Sequence, residues 1–342
     1  MSITPAAFSG YRVNDAPYQL SDLLEMARPK SDEAFLRISD FHLAEGAVIR
    51  VRIDGELQEI EDGEPLSAEA FRGLLSPVLP ASAKEELNQA KPISADFAFS
   101  IGSRRFRCNV FSTIAGHAAA IRVLPTHIPA PDTIGLPDPR LGQAITQLRH
   151  GLILMTGATG SGKSTSTASL VQEILNTQLK RVITLEDPAE FLYENGIGLV
   201  SQRELGTHIS SFGNGLRSAL REDPDVIVVE EVRDQTTTQL ALTAAETGHI
   251  VFATLHTRDA IGALPRLIDL GPPEAKSRMA SQLALSLRYV LGNQLLPGAD
   301  GGRVLCMEVL QNNNAVANHI RSQRWEQLTT AMQTSQKDGM WT

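Results

Sequence analysis

The chain has 342 residues, of which 42% are hydrophobic and 20% charged, a composition ordinary for a globular protein of about two domains. Its formal net charge of −8 at pH 7 argues against a protein that coats nucleic acid, because that function needs a broad basic surface. No stretch approaches the ~18 consecutive apolar residues of a membrane-spanning helix, so we expect contact with a membrane only through partner proteins.

The N-terminal segment and the cysteines favour a cytoplasmic location. The first ten residues contain no basic segment followed by an apolar stretch, and therefore predict no secretory signal peptide. The two cysteines, Cys108 and Cys306, lie in apolar or strand-like sequence without histidines at metal-ligand spacing. They predict two buried, reduced thiols, which suits a reducing compartment.

Residues 1–124 predict a small α+β domain. A helical pattern at 20–27 precedes two short strands around Asp54-Gly55, a dipeptide that is typical of hairpin turns. The same reasoning predicts a helical region interrupted by two prolines, and then three further strands. These elements lie at 67–90, 95–101, 104–111 and 117–124.

A change in composition and hydrophobic pattern at 125–139 predicts a domain boundary. This segment contains five prolines and indicates a semi-rigid linker, because proline fixes φ and removes a hydrogen-bond donor. Residues 140–342 then alternate continuous apolar runs with helical segments, which predicts an α/β domain with a parallel sheet covered on both faces. The apolar runs lie at 151–156, 181–185, 225–229 and 250–254.

The most specific motif follows the first of these runs. The nine residues after it contain the eight-residue motif G-x-x-x-x-G-K-[ST] and stand between a predicted strand and a predicted helix at 166–175, which is the context that a phosphate-binding loop requires. Glycines allow backbone N–H groups of such a loop to converge on phosphates, and the helix N-terminus adds partial positive charge. We expect Lys163 to reach the β- and γ-phosphates of ATP and the Ser164 hydroxyl to bind Mg²⁺. The candidate ligands are Gly157, Ala158, Thr159, Gly160, Ser161, Gly162, Lys163, Ser164 and Thr165.

Carboxylates at the end of a second apolar run supply the chemistry that hydrolysis needs. Glu230 and Glu231 follow the strand predicted at 225–229. At the carboxyl end of a strand adjacent to the phosphate-loop strand, such groups can hold Mg²⁺ and activate the attacking water. Glu231 is the candidate general base, and Ser164, Glu230 and Glu231 are the candidate metal ligands.

Two more strands end in polar residues. Glu186 follows the run at 181–185, and parallel strand ends face one crevice, so Glu186 is a second candidate catalytic residue. The alternative is that Glu186-Asp187 forms only a solvated turn. His256 follows the run at 250–254 and is a candidate to sense the γ-phosphate or to position water, with a purely structural histidine as its alternative.

Several longer segments of the sequence resemble one family of ATPases. ITLEDPAEF (183–191), LREDPDVIVVEEVRD (220–234) and TGHIVFATLHT (247–257) resemble the PilT-like ATPases of pilus retraction and of type II and type IV secretion. SDFHLAEG (39–46) and RRFRCNVF (104–111) are similar to the amino-terminal domain of the retraction ATPases. The resemblance implies a RecA-like ATPase domain preceded by a PAS-like domain, assembled as a homohexameric ring.

The resemblance also implies roles for individual residues. Glu186 takes the place of the Asp-box glutamate, Glu231 that of the Walker B glutamate and His256 that of the His-box histidine. Three arginines of the amino-terminal domain take the place of nucleotide-binding arginines. Without the resemblance, they would indicate only a solvent-exposed strand face. They are Arg105, Arg107 and Arg122. The implied partners are inner-membrane platform or secretion-complex proteins, with no direct contact to nucleic acid and a cytoplasmic position peripheral to the inner membrane.

One departure from the family leaves alternatives open. Glu230 stands where these ATPases have glycine, and we expect an extra carboxylate there to raise the pKa of Glu231 or to weaken phosphate binding. The leading interpretation is a motor that drives a type IV pilus or a secretion machine. A nucleic-acid motor, which DNA stimulation of turnover would identify, and a weakly hydrolysing regulator are the alternatives.

Overall fold

The computed structural model describes residues 11–13, 16–25, 38–53, 55–60, 63–88, 92–102, 104–299 and 303–342. Residues 1–10, on which the prediction about a signal peptide depends, lie outside this set. By its internal contacts the chain divides into two compact units, Met1–Thr126 and His127–Thr342. Each unit has its own hydrophobic core.

An antiparallel sheet forms the first unit. Its elements are β1 (Tyr11–Val13), β2 (Ala16–Tyr18), α1 (Leu20–Glu25), β3 (Ile38–Ala44), β4 (Arg50–Ile53), β5 (Glu56–Glu59), α2 (Ala68–Leu75), α3 (Ala81–Asn88), β6 (Ser94–Ile101), β7 (Arg104–Thr113) and β8 (Gly116–Val123). Strands β1 and β2 pair with each other, and the other six form one sheet in the order β5-β4-β3-β8-β7-β6. Alternate residues such as Phe41, Val51 and Ile121 pack with Phe71 of α2 into the core.

The predicted elements of this unit are confirmed in type and order. Strands β4 and β5 form the predicted hairpin, with Arg50 paired to Glu59 and Gly55 at a φ of 92°, a backbone conformation that glycine adopts at little cost. The helical region divides into α2 and α3 on either side of the two prolines. Cys108 is buried, as predicted.

Helices cover both faces of a seven-stranded sheet in the second unit. Its elements are α4 (Pro139–Thr146), β9 (Gly151–Thr156), α5 (Lys163–Thr177), β10 (Arg181–Glu186), β11 (Leu199–Glu204), α6 (Phe212–Ala219), β12 (Val226–Val229), α7 (Gln235–Glu246), β13 (Ile250–Leu255), α8 (Ala260–Asp269), α9 (Lys276–Ser286), β14 (Leu287–Pro297), β15 (Arg303–Gln311), α10 (Asn314–Arg321) and α11 (Glu326–Thr334), with short 3-10 turns at Pro273–Ala275 and Gln336–Asp338.

Burial on both faces explains the continuous apolar runs. Along β9, Leu152 and Leu154 belong to the core under α6 to α11, whereas Ile153 and Met155 belong to the core under α4 and α5. All six residues of β9 are buried. The predicted parallel sheet is therefore confirmed for β9, β10, β12 and β13.

The order of the strands differs from the expectation in one important respect. The sheet runs β11-β10-β12-β13-β9-β14-β15, so β13 lies between the phosphate-loop strand β9 and the strand β12 that precedes Glu230 and Glu231. The predicted adjacency of β9 and β12 is wrong. Pairing between strands distant in sequence decides this order, and the composition of each strand does not encode it.

The edge of this sheet accounts for a second wrong prediction. Cys306 is exposed, because it lies in the first half of β15, an antiparallel edge strand whose first four residues are exposed or only partly buried. Within the part of the chain that the structure describes, none of the helices is both long and apolar enough to cross a bilayer.

Candidate nucleotide-binding and catalytic site

The phosphate loop joins the carboxyl end of β9 to the amino end of α5. Gly157 and Gly162 have φ values of 142° and 92°, which glycine adopts without the steric cost that a Cβ would impose. Helix α5 begins at Lys163 with Gly162 as its N-cap, so the unpaired N–H groups of its first turn lie at the loop. This geometry is that of an anion-binding helix N-terminus.

Lys163 is held within this loop. Its Nζ donates hydrogen bonds to the carbonyls of Gly157 at 2.7 Å and Ala158 at 2.9 Å. Burial lowers the pKa of Lys163, although the negative charges of Glu190 and Glu231 oppose that shift. The ammonium group thus lies in partly desolvated surroundings, where its attraction for phosphate is stronger than in water.

The other loop residues differ in their access to solvent. Ala158, Thr159 and Gly160 are exposed, and Ser164 and Thr165 are partly exposed at the start of α5. Ser161 is buried, and among the described residues its hydroxyl has no hydrogen-bond partner. The exposed backbone of the loop can therefore bind a ligand from solvent, while Ser161 belongs to its inner wall.

Strand β14 forms that inner wall. A Cβ at Gly157 would collide with the carbonyl oxygen of Asn293 and with the Ser161 hydroxyl, so the loop requires glycine there. Asn293 is 2% exposed, and its Nδ2 donates to Ser166 Oγ of α5 at 2.8 Å. The wall is assembled from residues more than 100 positions apart in the chain.

His256 connects the phosphate loop to the carboxylates. Because β13 lies between β9 and β12, the residue that follows β13 stands between the ends of the other two strands. Its Nδ1 is 3.5 Å from Lys163 Nζ, and its Nε2 is 3.4 Å from Glu231 Oε2. The structure thus brings Lys163, His256 and Glu231 together.

Glu231 lies in the turn after β12, beside Arg233 and His256. Arg233 forms an ion pair with its Oε2, the same oxygen that His256 approaches. Burial raises the pKa of Glu231, but Arg233 and His256 outweigh this effect and leave the pKa below its ordinary value. The expectation that Glu230 raises the pKa of Glu231 is therefore wrong, since the effects of Arg233 and His256 dominate.

Glu230 is directed toward the end of β10 instead. Its Oε2 accepts a hydrogen bond of 2.5 Å from the backbone N–H of Asp187. Burial, together with the charge of Glu186, raises the pKa of Glu230 to about 8, although the hydrogen bond from Asp187 acts to lower it. Near neutral pH this carboxyl is thus largely protonated, which limits the repulsion it exerts on a phosphate group.

Replacing Glu230 by glutamine should remove a pH dependence of stability. The native carboxyl keeps its proton to about pH 8, whereas the ordinary pKa is 4.5, so the native state binds more protons between these values and the free energy of unfolding falls as pH rises. Glutamine carries no such charge and can still accept from Asp187. At pH 8.5 the free energy of unfolding of Glu230→Gln should exceed that of wild type by about 1 kcal/mol or more, which corresponds to roughly 2–4 °C in Tm. At pH 5 this difference should disappear.

The measurement is calorimetry of metal-free, nucleotide-free protein at the two pH values. Glu194→Gln, a change at an exposed carboxyl of the same unit, is the matched control. An equal Tm difference between wild type and Glu230→Gln at pH 5 and pH 8.5 would contradict the prediction.

Glu186 is not part of a solvated turn. It is 7% exposed, and its Oε1 accepts hydrogen bonds from Thr184 Oγ1 at 2.5 Å and from Gln202 Nε2 at 3.0 Å. Gln202 also donates to the carbonyl of Phe191 at 2.9 Å. These contacts fix the carboxylate at the end of β10 and tie it to the segment that follows.

The three candidate arginines lie in the first unit, on β7 and β8. Arg107 pairs across the strands with Arg122. Within this unit Arg107 forms a two-pronged ion pair with Asp96, at 2.6 and 3.1 Å, and Arg122 Nε donates to Asp40 at 2.9 Å. Arg105 lies 3.5 Å from Ser100 Oγ, so all three have polar contacts on this sheet.

Comparison with known proteins identifies the family. The model of the type II/IV secretion system protein family matches residues 23–337. The chain belongs to this family. The type IV pilus retraction ATPase PilT of Pseudomonas aeruginosa is 37% identical over 305 residues, or 89% of this chain and 87% of PilT.

Solved structures support membership in the type II/IV secretion family. The pilus retraction motor PilT with bound ADP matches with a TM-score of 0.83 and 37% identity over 95% of each chain. The ATPase DotB of Legionella pneumophila matches with a TM-score of 0.77 and 28% identity over 95% of this chain and 94% of its own. The predicted fold class, a RecA-like ATPase domain preceded by a smaller α+β domain, is confirmed. With its complete phosphate loop, this member of the family is an ATPase.

The donor set fits Mg²⁺ only if phosphate supplies most of the ligands. No group of three or more His, Cys, Asp or Glu side chains suited to a metal occurs in the described part of the chain. Ser164 at the start of α5 and Glu231 offer one hydroxyl and one carboxylate. This sparse set suits Mg²⁺, which usually keeps several waters and is bound largely through substrate phosphates.

Sequence reasoning missed three residues that shape this family member's site. Arg233 had a usable signal, since it lies two positions after Glu231 in the same turn. No sequence signal indicated Gln202 or Asn293, because they lie on β11 and β14, two strands that were not predicted.

Proposed function

We propose that this chain is the hexameric, Mg²⁺-dependent ATPase that powers retraction of a type IV pilus. One observation carries the proposal: Lys163, His256 and Glu231 are connected at the strand ends of a chain whose fold matches a pilus retraction motor along nearly its whole length. The higher identity to PilT than to DotB favours retraction over secretion.

The residues of the site have separate roles in this proposal. Backbone N–H groups of the phosphate loop and Lys163 bind the phosphates of ATP. Ser164 would hold Mg²⁺ directly and Glu231 would hold it through a coordinated water, and the ion would neutralise phosphate charge. Glu231 accepts a proton from the attacking water. Glu186 and His256 orient these groups, and Glu230 is a weaker ligand because its carboxyl is turned toward Asp187.

Deleting the gene in its native host tests the function. We expect pili to form but not to retract, so that surface pili accumulate and twitching stops, with recovery by the wild-type gene but not by Lys163→Ala. Retraction at the wild-type rate in the deletion strain would contradict the proposal.

The likeness to DotB favours secretion as the second candidate function. In that case the deletion would leave pili unchanged, and a set of proteins would disappear from the medium or from recipient cells. The same strain therefore discriminates between the two machines. In either machine we propose a cytoplasmic position at the inner membrane, held there by platform or secretion-complex proteins.

The proposed hexamer leads to a prediction about mass and about Arg122. With a non-hydrolysable ATP analogue, light scattering should give a mass about six times that of the 37.0 kDa chain, because rings with closed symmetry can share a site between subunits. We propose that Arg105, Arg107 and Arg122 contact the nucleotide, since a guanidinium fork suits phosphate oxygens.

Arg122→Ala should therefore lower turnover about tenfold or more, with a smaller loss of nucleotide affinity. Arg50→Ala, which removes another paired arginine of the same sheet, is the control and should retain turnover. A protein that stays monomeric with the analogue at high concentration would rule out the ring, and equal effects of the two substitutions would rule out the role of Arg122.

A further inference from the structure

The turn after β12 is fixed by its backbone on both sides of Glu231. The N–H of Glu230 donates to the Leu185 carbonyl at 2.9 Å, and that of Val232 donates to the Thr254 carbonyl at 3.1 Å. Asp234 then caps α7, accepting from the backbone N–H of Thr237 at 2.9 Å. The backbone position of Glu231 is thus set, and its side-chain torsions decide where the carboxylate lies.

Two groups hold one oxygen of that carboxylate. The guanidinium of Arg233 pairs with Oε2, and His256 Nε2 lies 3.4 Å from the same atom. Among the described residues, Oε1 has no hydrogen-bond or ion-pair partner. One oxygen is therefore fixed and the other is left to accept a hydrogen bond.

We propose that Arg233 is a positioning residue for hydrolysis, which holds Glu231 by Oε2 so that Oε1 faces the attacking water. The inference rests on the proposed role of Glu231 as general base. A general base must lie within hydrogen-bond reach of the proton it removes, and a misplacement of about 1 Å can cost about 10²-fold in rate. Arg233 acts through Glu231 and need not contact ATP.

Contribution to stability does not explain this ion pair. The side chains of Arg233 and Glu231 are 62% and 19% exposed, and pairs that solvent reaches in this way contribute little to folding. Arg140 and Asp138 form a second pair at the same spacing in the chain, with Arg140 85% exposed, at the start of α4. That pair provides a matched control without a place in the proposed site.

The experiment compares turnover and ATP affinity in purified variants. Arg233→Ala should lower kcat about 10- to 100-fold and leave the Kd of a fluorescent ATP analogue within about threefold. Arg233→Lys should restore part of the loss, because an ammonium can still pair with Oε2. Arg140→Ala should retain wild-type kcat. Wild-type kcat in Arg233→Ala, or a Kd that rises as much as kcat falls, would overturn the proposal.

A double variant separates positioning from an independent effect. If Arg233 acts through Glu231, Arg233→Ala combined with Glu231→Gln should turn over no more slowly than Glu231→Gln alone. Additive losses would overturn the proposal. If Glu231→Gln alone retains turnover, the general-base role itself fails, and this result is distinct from failure of the role of Arg233.

A crystal structure gives a readout that does not depend on turnover. With an ATP analogue bound, the Glu231 carboxylate should occupy one rotamer in wild type and a different or mixed one in Arg233→Ala. An unchanged Glu231 rotamer in the variant would overturn the inference.

Discussion

Lys163→Ala should lower ATP turnover by two to three orders of magnitude. Loss of one preorganised charged donor from a site sheltered from water costs about 10²–10³ in kcat, and the Lys163 ammonium is both desolvated and placed in the phosphate loop. Alanine also removes two hydrogen bonds that close the loop. Lys163→Gln keeps a donor for the carbonyls of Gly157 and Ala158 but not the charge, so it should be almost as inactive.

Turnover is measured as phosphate release, with nucleotide binding followed separately. Lys276→Ala, which removes a lysine paired with Asp269 and away from the loop in sequence, is the control. Turnover above about a tenth of wild type in both Lys163 variants would show that the phosphate loop is not the catalytic one.

Glu231→Gln should convert the protein into a form that binds ATP and does not release phosphate. A general base contributes about 10²–10⁴-fold, and glutamine keeps the size of the side chain but cannot accept the proton. Because this interaction strengthens only in the transition state, kcat should fall while ATP affinity persists. Gel filtration after incubation with labelled ATP should recover uncleaved nucleotide with the protein.

Glu186→Gln is the comparison that assigns the roles. Glu186 is buried and held by Thr184 and Gln202, so we expect its loss to reduce turnover less than the loss of Glu231. The reverse ranking, with Glu231→Gln close to wild type, would make Glu186 the base.

The sequence predicted the parts of the site that are contiguous in the chain. The phosphate loop requires a strand, an eight-residue glycine-containing motif and a helix that begins within that motif, and local composition determines all three. Continuous apolar runs likewise predicted β9, β10, β12 and β13, because strands buried on both faces leave no polar alternation.

Features that depend on pairing between distant segments were not predicted. The place of β13 between β9 and β12 was missed, as were β14 and β15. The direction of the Glu230 side chain toward Asp187 depends on the pairing of β10 with β12, and the polarity of the residue alone does not indicate it. The sequence indicated His256 as a candidate, but its place between Lys163 and Glu231 follows only from the strand order.

The position of His256 makes the site accessible to spectroscopy. Its two ring nitrogens lie near different partners, Lys163 on one side and Glu231 on the other, so the nitrogen resonances of one ring would record events at both. The chain has eight histidines, few enough that a His256→Gln spectrum would assign the signal by its disappearance. Histidine-selective ¹⁵N labelling could then follow the arrival of nucleotide and the loss of phosphate separately, without attaching a chemical probe to the protein.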